Sequence, residues 1–137
     1  GGIGWKINSL LNRLKNHQKD IILTEYITEE QKASLYKHAD IFIYPSLYEG
    51  FGLPPLEAMS YGTPVICSTG GSLKEIFENY TLTFEPNDKE MLKKHILSLI
   101  NNPSEKTALI QKGLVYSKTF SWEKTAEETI KAFETLI

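Results

Sequence analysis

Tyr44-Pro45-Ser46-Leu47-Tyr48-Glu49-Gly50-Phe51-Gly52-Leu53-Pro54-Pro55-Leu56-Glu57-Ala58-Met59-Ser60-Tyr61-Gly62-Thr63-Pro64 decides the fold. The apolar run Ile41-Phe42-Ile43-Tyr44 reads as a buried strand. A turn-rich segment with Gly50, Gly52, Pro54 and Pro55 follows, and a short helix runs from near Pro54 to Gly62. Strand, glycine loop and helix in that order place bare N–H groups and a helix N-terminus at the carboxyl end of a strand. Such a place suits an anion, above all a phosphate. Gly50 and Gly52 allow positive φ and close approach of a ligand to the backbone. Pro54 and Pro55 fit the first helical turn and remove two donors, which leaves the amides of Gly50, Phe51, Gly52 and Leu53 to bind the anion.

Two carboxylates frame the loop, Glu49 before it and Glu57 in the helix, with seven residues between them. Glu57 leans back toward the helix N-terminus, where it can accept two hydroxyl hydrogen bonds such as a ribose diol offers. Glu49 stands at the strand end, in the expected ligand crevice of an open α/β sheet.

The run from Pro45 to Pro54, then Leu56-Glu57-Ala58-Met59 and Gly62-Thr63-Pro64-Val65-Ile66, resembles the group-one family of retaining nucleotide-sugar glycosyltransferases. Glu49 and Glu57 match that family's E-x7-E motif. The resemblance implies an α/β fold: a Rossmann-like parallel sheet flanked by helices, part of the C-terminal domain of a two-Rossmann-domain (GT-B) enzyme. It makes residues 1–137 the latter part of that nucleotide-sugar-binding domain, truncated at its N-terminal side. The acceptor-binding N-terminal domain, the first two strands and a basic Arg/Lys pair would lie outside this chain.

The same resemblance implies roles. Glu49 is the catalytic carboxylate, contacting the donor hexose. Glu57 holds the ribose, and Gly50, Phe51, Gly52 and Leu53 bind the diphosphate. A second glycine loop, Thr69, Gly70 and Gly71, is expected to face the same crevice, with a plain connector as the equal alternative. The implied ligands are a nucleotide-sugar donor, GDP-mannose or a UDP-hexose, and a saccharide or lipid-linked acceptor. No other cofactor and no metal is implied. Tyr48 to Leu53 with Phe120-Ser121-Trp122 looks most like the bacterial mannosyltransferase branch, in polysaccharide biosynthesis. A nucleotide-sugar-binding module or inactive piece without catalysis remains the alternative, and the chain by itself is expected to be inactive.

The chain has 137 residues, enough for one compact domain, and a net charge of −2, which points away from nucleic acid. Its one cysteine, Cys67, cannot form an internal disulfide and reads as a small buried residue in a cytoplasmic setting. No run is long and apolar enough to span a bilayer; the resemblance admits peripheral association of the parent enzyme with the inner membrane face. His17, His38 and His95 are too scattered to ligate a metal or act together.

Outward from the centre, Ile3, Ile7, Leu10, Leu11 and Leu14 predict an amphipathic helix. Trp5 reads as a packing residue near its start. Residues 21–24 read as a buried strand. Thr28 and Gln31 form a capping box for a helix to His38 that buries Leu35 and Ala39. Further strands are expected at 64–67 and 81–84, giving a four-stranded parallel core whose order the sequence leaves open. Ser72 with Glu75 predicts a capped helix through Phe77, Asn87 a cap for the next, and Asn102-Pro103 another helix start. Ser121 caps the last helix, where Trp122, Ala126, Ile130, Phe133 and Ile137 predict a core stripe.

Overall fold

The structure, a computed structural model, describes residues 8–136 apart from Asn16 and Gln18. The expectations for residues 1–7, Ile3, Trp5 and Ile7 among them, and for Ile137 lie outside the described residues. The chain divides into two units, Gly1–Ser34 and Leu35–Ile137.

In the first unit, helix α1 spans Asn8–Lys15. Residues 21–24, expected as a strand, belong to no strand, and Ile22 is 87% exposed. An extended run is a strand only where a neighbour satisfies its N–H and C=O groups, and this run has no ladder partner among the described residues. Among the described residues the core therefore has three strands, not four. The Thr28 box is formed: Thr28 N–H donates to Gln31 Oε1 at 2.9 Å and Gln31 N–H to Thr28 Oγ1 at 3.2 Å. Helix α2 follows at Glu29–His38, with acidic residues in its first turn and Lys37 and His38 in its last, matching the helix dipole.

The second unit is built on three short parallel strands in the order β1 (Phe42–Tyr44), β2 (Val65–Ser68) and β3 (Leu82–Phe84). Helix α3 (Leu53–Ser60) links β1 to β2, and α4 (Leu73–Phe77) links β2 to β3. The central strand β2 is buried throughout, which its Val-Ile-Cys-Ser composition permits. Its side chains alternate between two cores. Val65 and Cys67 join Tyr36, Ala58, Met59, Leu73 and Phe77 on one side. Ile66 joins Phe84 and Leu99 on the other, with Met91, Leu92 and Ile96 of α5 (Lys89–Asn101) packed against them. Helix α6 (Pro103–Ser117) lies on α3, where a Cβ on Gly113 would come within 3.1 Å of the Met59 side chain. In α2 the buried residue is Tyr36, whereas Leu35 is exposed and Ala39 half-buried, so the buried face is one residue out of register with the expected one.

Two caps differ from expectation. Asp88, not Asn87, caps α5, accepting from Met91 N–H at 2.9 Å, while Asn87 takes the left-handed turn position at φ 74°. Ser72 makes no side-chain cap; its backbone is already helical, and its N–H donates to Glu49 C=O at 3.0 Å. Asn102 and Ser121 cap α6 and α7 (Trp122–Glu134) as read. The α7 stripe is amphipathic but not core: no described residue of α7 is buried, and Trp122 is 78% exposed. Periodicity reveals an apolar face, not what covers it.

Cys67 is buried and its sulfur lies 3.3 Å from Thr81 Oγ1; burial pushes its thiol pKa up. A maleimide is expected to label it roughly 100-fold more slowly in the folded protein than in urea. Equal rates would show that β2 is not buried in solution.

Candidate functional site

The site grows from the carboxyl end of β1. Tyr44 is the last residue of that strand, paired with Cys67 of β2. The chain then turns through residues 45–52. Glu49 lies beside the second glycine loop in an isolated parallel bridge to Gly71. That contact requires glycine: Gly71 has φ 63°, and a Cβ there would run into the Glu49 backbone. A Cβ on Gly70 would likewise strike the carbonyls of Ser46 and Leu47. Gly70 and Gly71 thus let one loop seat against the other. Thr69 donates its N–H to Phe84 C=O at 3.0 Å, and its buried hydroxyl has no hydrogen-bond partner among the described residues.

Gly52 closes the first loop as the N-cap of α3, at φ 100° and without a side-chain cap. Pro54 and Pro55 fill the first turn and have no N–H. Among the described residues, none of the amides of Gly50, Phe51, Gly52 and Leu53 donates to a main-chain carbonyl. The four donors named from the sequence are therefore not consumed by ladder pairing, and they stand where the helix dipole favours negative charge. Gly50 is exposed, and a Cβ on it would meet nothing within 4 Å. Its lack of a side chain serves no internal packing.

Each carboxylate is held by tyrosine. The Glu49 Oε1 accepts from Tyr44 Oη at 2.8 Å and from Ser46 Oγ at 2.7 Å. The Ser46 bond, then the Tyr44 bond, hold the Glu49 carboxyl below the usual carboxylate range. It is ionised at neutral pH and would lose that charge only as pH falls through its lowered pKa. Burial first, and the bond to Glu49 second, push the Tyr44 pKa up to about 12, so Tyr44 stays a donor at neutral pH. Glu57 Oε2 accepts from Tyr36 Oη of α2 at 3.2 Å. Glu57 also lines a 530 Å³ cleft whose walls include Phe51, Leu53, Phe120 and Trp122. Phe51 and Phe120 meet edge to face at 5.6 Å.

The sequence named Glu49, Glu57 and the loop amides, and the structure sets all of them around one strand-loop-helix turn. It did not reveal Tyr44, Ser46 and Tyr36 as partners. The available signal was a hydroxyl five and three residues before Glu49.

Comparison with known proteins decides the family. Residues 8–114 match the family described as glycosyl transferases group 1. The chain belongs to this family. It is 38% identical over 135 residues to the O-antigen chain mannosyltransferase B of Escherichia coli, a match covering 97% of this chain and 35% of that protein. It is 33% identical to the MMP alpha-(1->4)-mannosyltransferase of Mycolicibacterium hassiacum, covering 86% of this chain and 30% of that protein. Among solved structures, the sucrose-phosphate synthase of Thermosynechococcus elongatus superposes with a TM-score of 0.84 at 28% identity, over 97% of this chain and 35% of that one. This group 1 chain thus spans about a third of the length of these relatives. Its fold is that of part of a GT-B glycosyltransferase, with a parallel sheet flanked by helices. Among the described residues no helix is long and apolar enough to cross a membrane.

Proposed function

We propose that the protein to which this chain belongs is a retaining mannosyltransferase that moves a hexose from a nucleotide diphosphate sugar to a saccharide or lipid-linked acceptor. The observation that carries this reading is the turn after β1: an ionised carboxylate, Glu49, directly beside four uncommitted amides at a helix N-terminus. Similarity to mannosyltransferases supports mannose as the sugar. The choice of GDP-mannose over a UDP-hexose rests on the resemblance of Tyr48 to Leu53 with Phe120-Ser121-Trp122 to the bacterial mannosyltransferase branch.

In this mechanism the bond between the anomeric carbon and the β-phosphate oxygen breaks, and its electron pair stays on the diphosphate. The Gly50–Leu53 amides and the α3 dipole stabilise that growing negative charge. Glu49 hydrogen-bonds hydroxyls of the donor hexose and offsets the positive charge developing at the anomeric carbon. The acceptor hydroxyl enters on the face the leaving group vacates, and its proton passes to the departing phosphate oxygen. Glu57 holds the ribose diol. Gly70 and Gly71 seat against the first loop, and with Thr69 they would border the same crevice. No metal or further cofactor takes part. The chain alone would be a donor half-site without turnover, completed by an N-terminal acceptor domain. The full protein would work in the cytoplasm or at the inner face of the membrane.

Titration calorimetry tests the donor assignment. On the full-length protein GDP-mannose is expected to bind at least about tenfold more tightly than UDP-glucose, a difference of about 1.4 kcal/mol. Tighter binding of UDP-glucose would overturn the choice of base, and no heat with either donor would overturn the donor site itself.

A further inference from the structure

We infer that Tyr44 and Ser46 are positioning residues for Glu49: their hydroxyls converge on Oε1, fix the carboxylate's rotation and leave Oε2 to the donor sugar. This rests on the proposed role of Glu49, and it adds two residues that the role alone does not require.

The geometry is that of a clamp. Both hydroxyls reach the same oxygen, at 2.8 and 2.7 Å, near the short range of charge-assisted O–H···O bonds. Among the described residues no hydrogen bond reaches Oε2. One bond would leave the carboxylate free to swing about it; two, from Tyr44 and from Ser46, pin that oxygen. Ser46 Oγ also lies 3.3 Å from Tyr48 C=O, but its single proton goes to the closer, charged acceptor.

Each arm is anchored in the sheet. Tyr44 is locked by the β1–β2 register, and its ring stacks on Phe42 at 6.1 Å. Pro45 fixes the backbone between the arms. Ser68, at the end of β2, donates its hydroxyl to the Ser46 carbonyl. The clamp is therefore tied to two strands, whereas Glu49 itself sits on the loop. A carboxylate on a loop, held from a sheet, is presented without the loop having to be rigid. Packing alone gives no reason for Ser46 to spend its hydroxyl on a partly exposed acid.

The charged state follows from the same contacts. Tyr44 is the titratable side chain touching the carboxylate; α4, beyond the Gly71 bridge, carries Lys74 and Glu75, neither of them bonded to Glu49 among the described residues. Removing either hydroxyl should raise the Glu49 pKa toward the ordinary value.

The test uses the full-length protein with Tyr44→Phe, Ser46→Ala and Ser46→Thr. The Glu49 carboxyl is titrated by carbon-13 NMR, and kcat and the donor KM are followed against pH. Tyr44→Phe and Ser46→Ala are each expected to raise the Glu49 pKa and shift the acid limb of the rate profile upward. Each should lower kcat about 10- to 100-fold, the range for a hydrogen bond to a charged group, with a smaller change in KM. Ser46→Thr, which keeps a hydroxyl, should restore both. Tyr44→Phe keeps the ring and its packing, so it reads the bond even if Ser46→Ala folds poorly. An unmoved Glu49 pKa, or a loss of kcat with an unmoved acid limb, overturns the clamp. A shifted pKa in a protein that transfers no sugar upholds the clamp and refutes the transferase reading instead.

Discussion

Glu49→Gln in the full-length protein is expected to lower kcat by roughly 10³-fold, the scale of losing one preorganised electrostatic group. The substitution keeps the size and shape of the side chain. Tyr44 and Ser46 can still donate to the amide oxygen, at the position that Oε1 holds now. What changes is the other end: an NH2 that donates would replace an oxygen that accepts, and the negative charge would vanish. In the proposed mechanism, hydroxyls of the donor hexose would then lose their acceptor, and positive charge at the anomeric carbon would lose its counter-charge. Nucleotide affinity should stay within about threefold, about 0.6 kcal/mol, because the amides and Glu57 are untouched. Calorimetry with GDP and single-turnover transfer separate the two quantities. Unchanged turnover would remove Glu49 from the chemistry, and a large loss of GDP affinity would make it a nucleotide ligand instead.

The features legible in the sequence were those set by contacts close along the chain. Thr28 with Gln31, Asn102 and Ser121 each cap a helix through an amide three residues on. The strands ending at Tyr44 and Phe84 were legible as apolar runs, although their ladder partners on β2 lie far along the chain. Misreadings occurred where distant partners decide. Residues 21–24 have the composition of a strand and no neighbour to pair with. Ser72 has the pattern of a cap, but its N–H is drawn to Glu49 across the loop, and its backbone follows. Asn87 and Asp88 can both cap a helix; the one that tolerates positive φ took the turn, and the other took the cap. The site shows the same division. Glu49, Glu57 and the loop glycines lie in one short motif. Tyr36 reaches Glu57 from another helix, and the glycines at 70 and 71 matter because of a contact with the first loop.

That contact yields the largest expected effect on stability. Gly71→Ala would place a Cβ against the Glu49 main chain while holding a left-handed φ of 63°. The backbone conformation costs about 1–2 kcal/mol for a residue with a Cβ. Overpacking adds about 1–3 kcal/mol, and rotation of a side chain cannot relieve it because the obstacle is backbone. Gly70→Ala meets the carbonyls of Ser46 and Leu47 and should cost about 1–3 kcal/mol. At Gly52 the nearest atoms are side-chain ends, Leu73 Cδ2 at 2.6 Å and Phe77 Cε2 at 2.9 Å. Leu73 and Phe77 are fully buried, so they can give way only partly. Gly50→Ala meets open space and should change stability by less than about 0.5 kcal/mol. The urea midpoints are thus expected to rank Gly71→Ala lowest and Gly50→Ala at the wild-type value. On the proposed reading the order for donor affinity should differ, because a methyl on the exposed Gly50 meets open space in the loop whose amides are proposed to bind the diphosphate. Gly50→Ala with wild-type stability and weakened donor binding would separate a glycine kept for a ligand from those kept for the fold. A Gly71→Ala protein that unfolds at the wild-type midpoint would mean that the two loops do not touch as described, and the placement of Glu49 would fall with that contact.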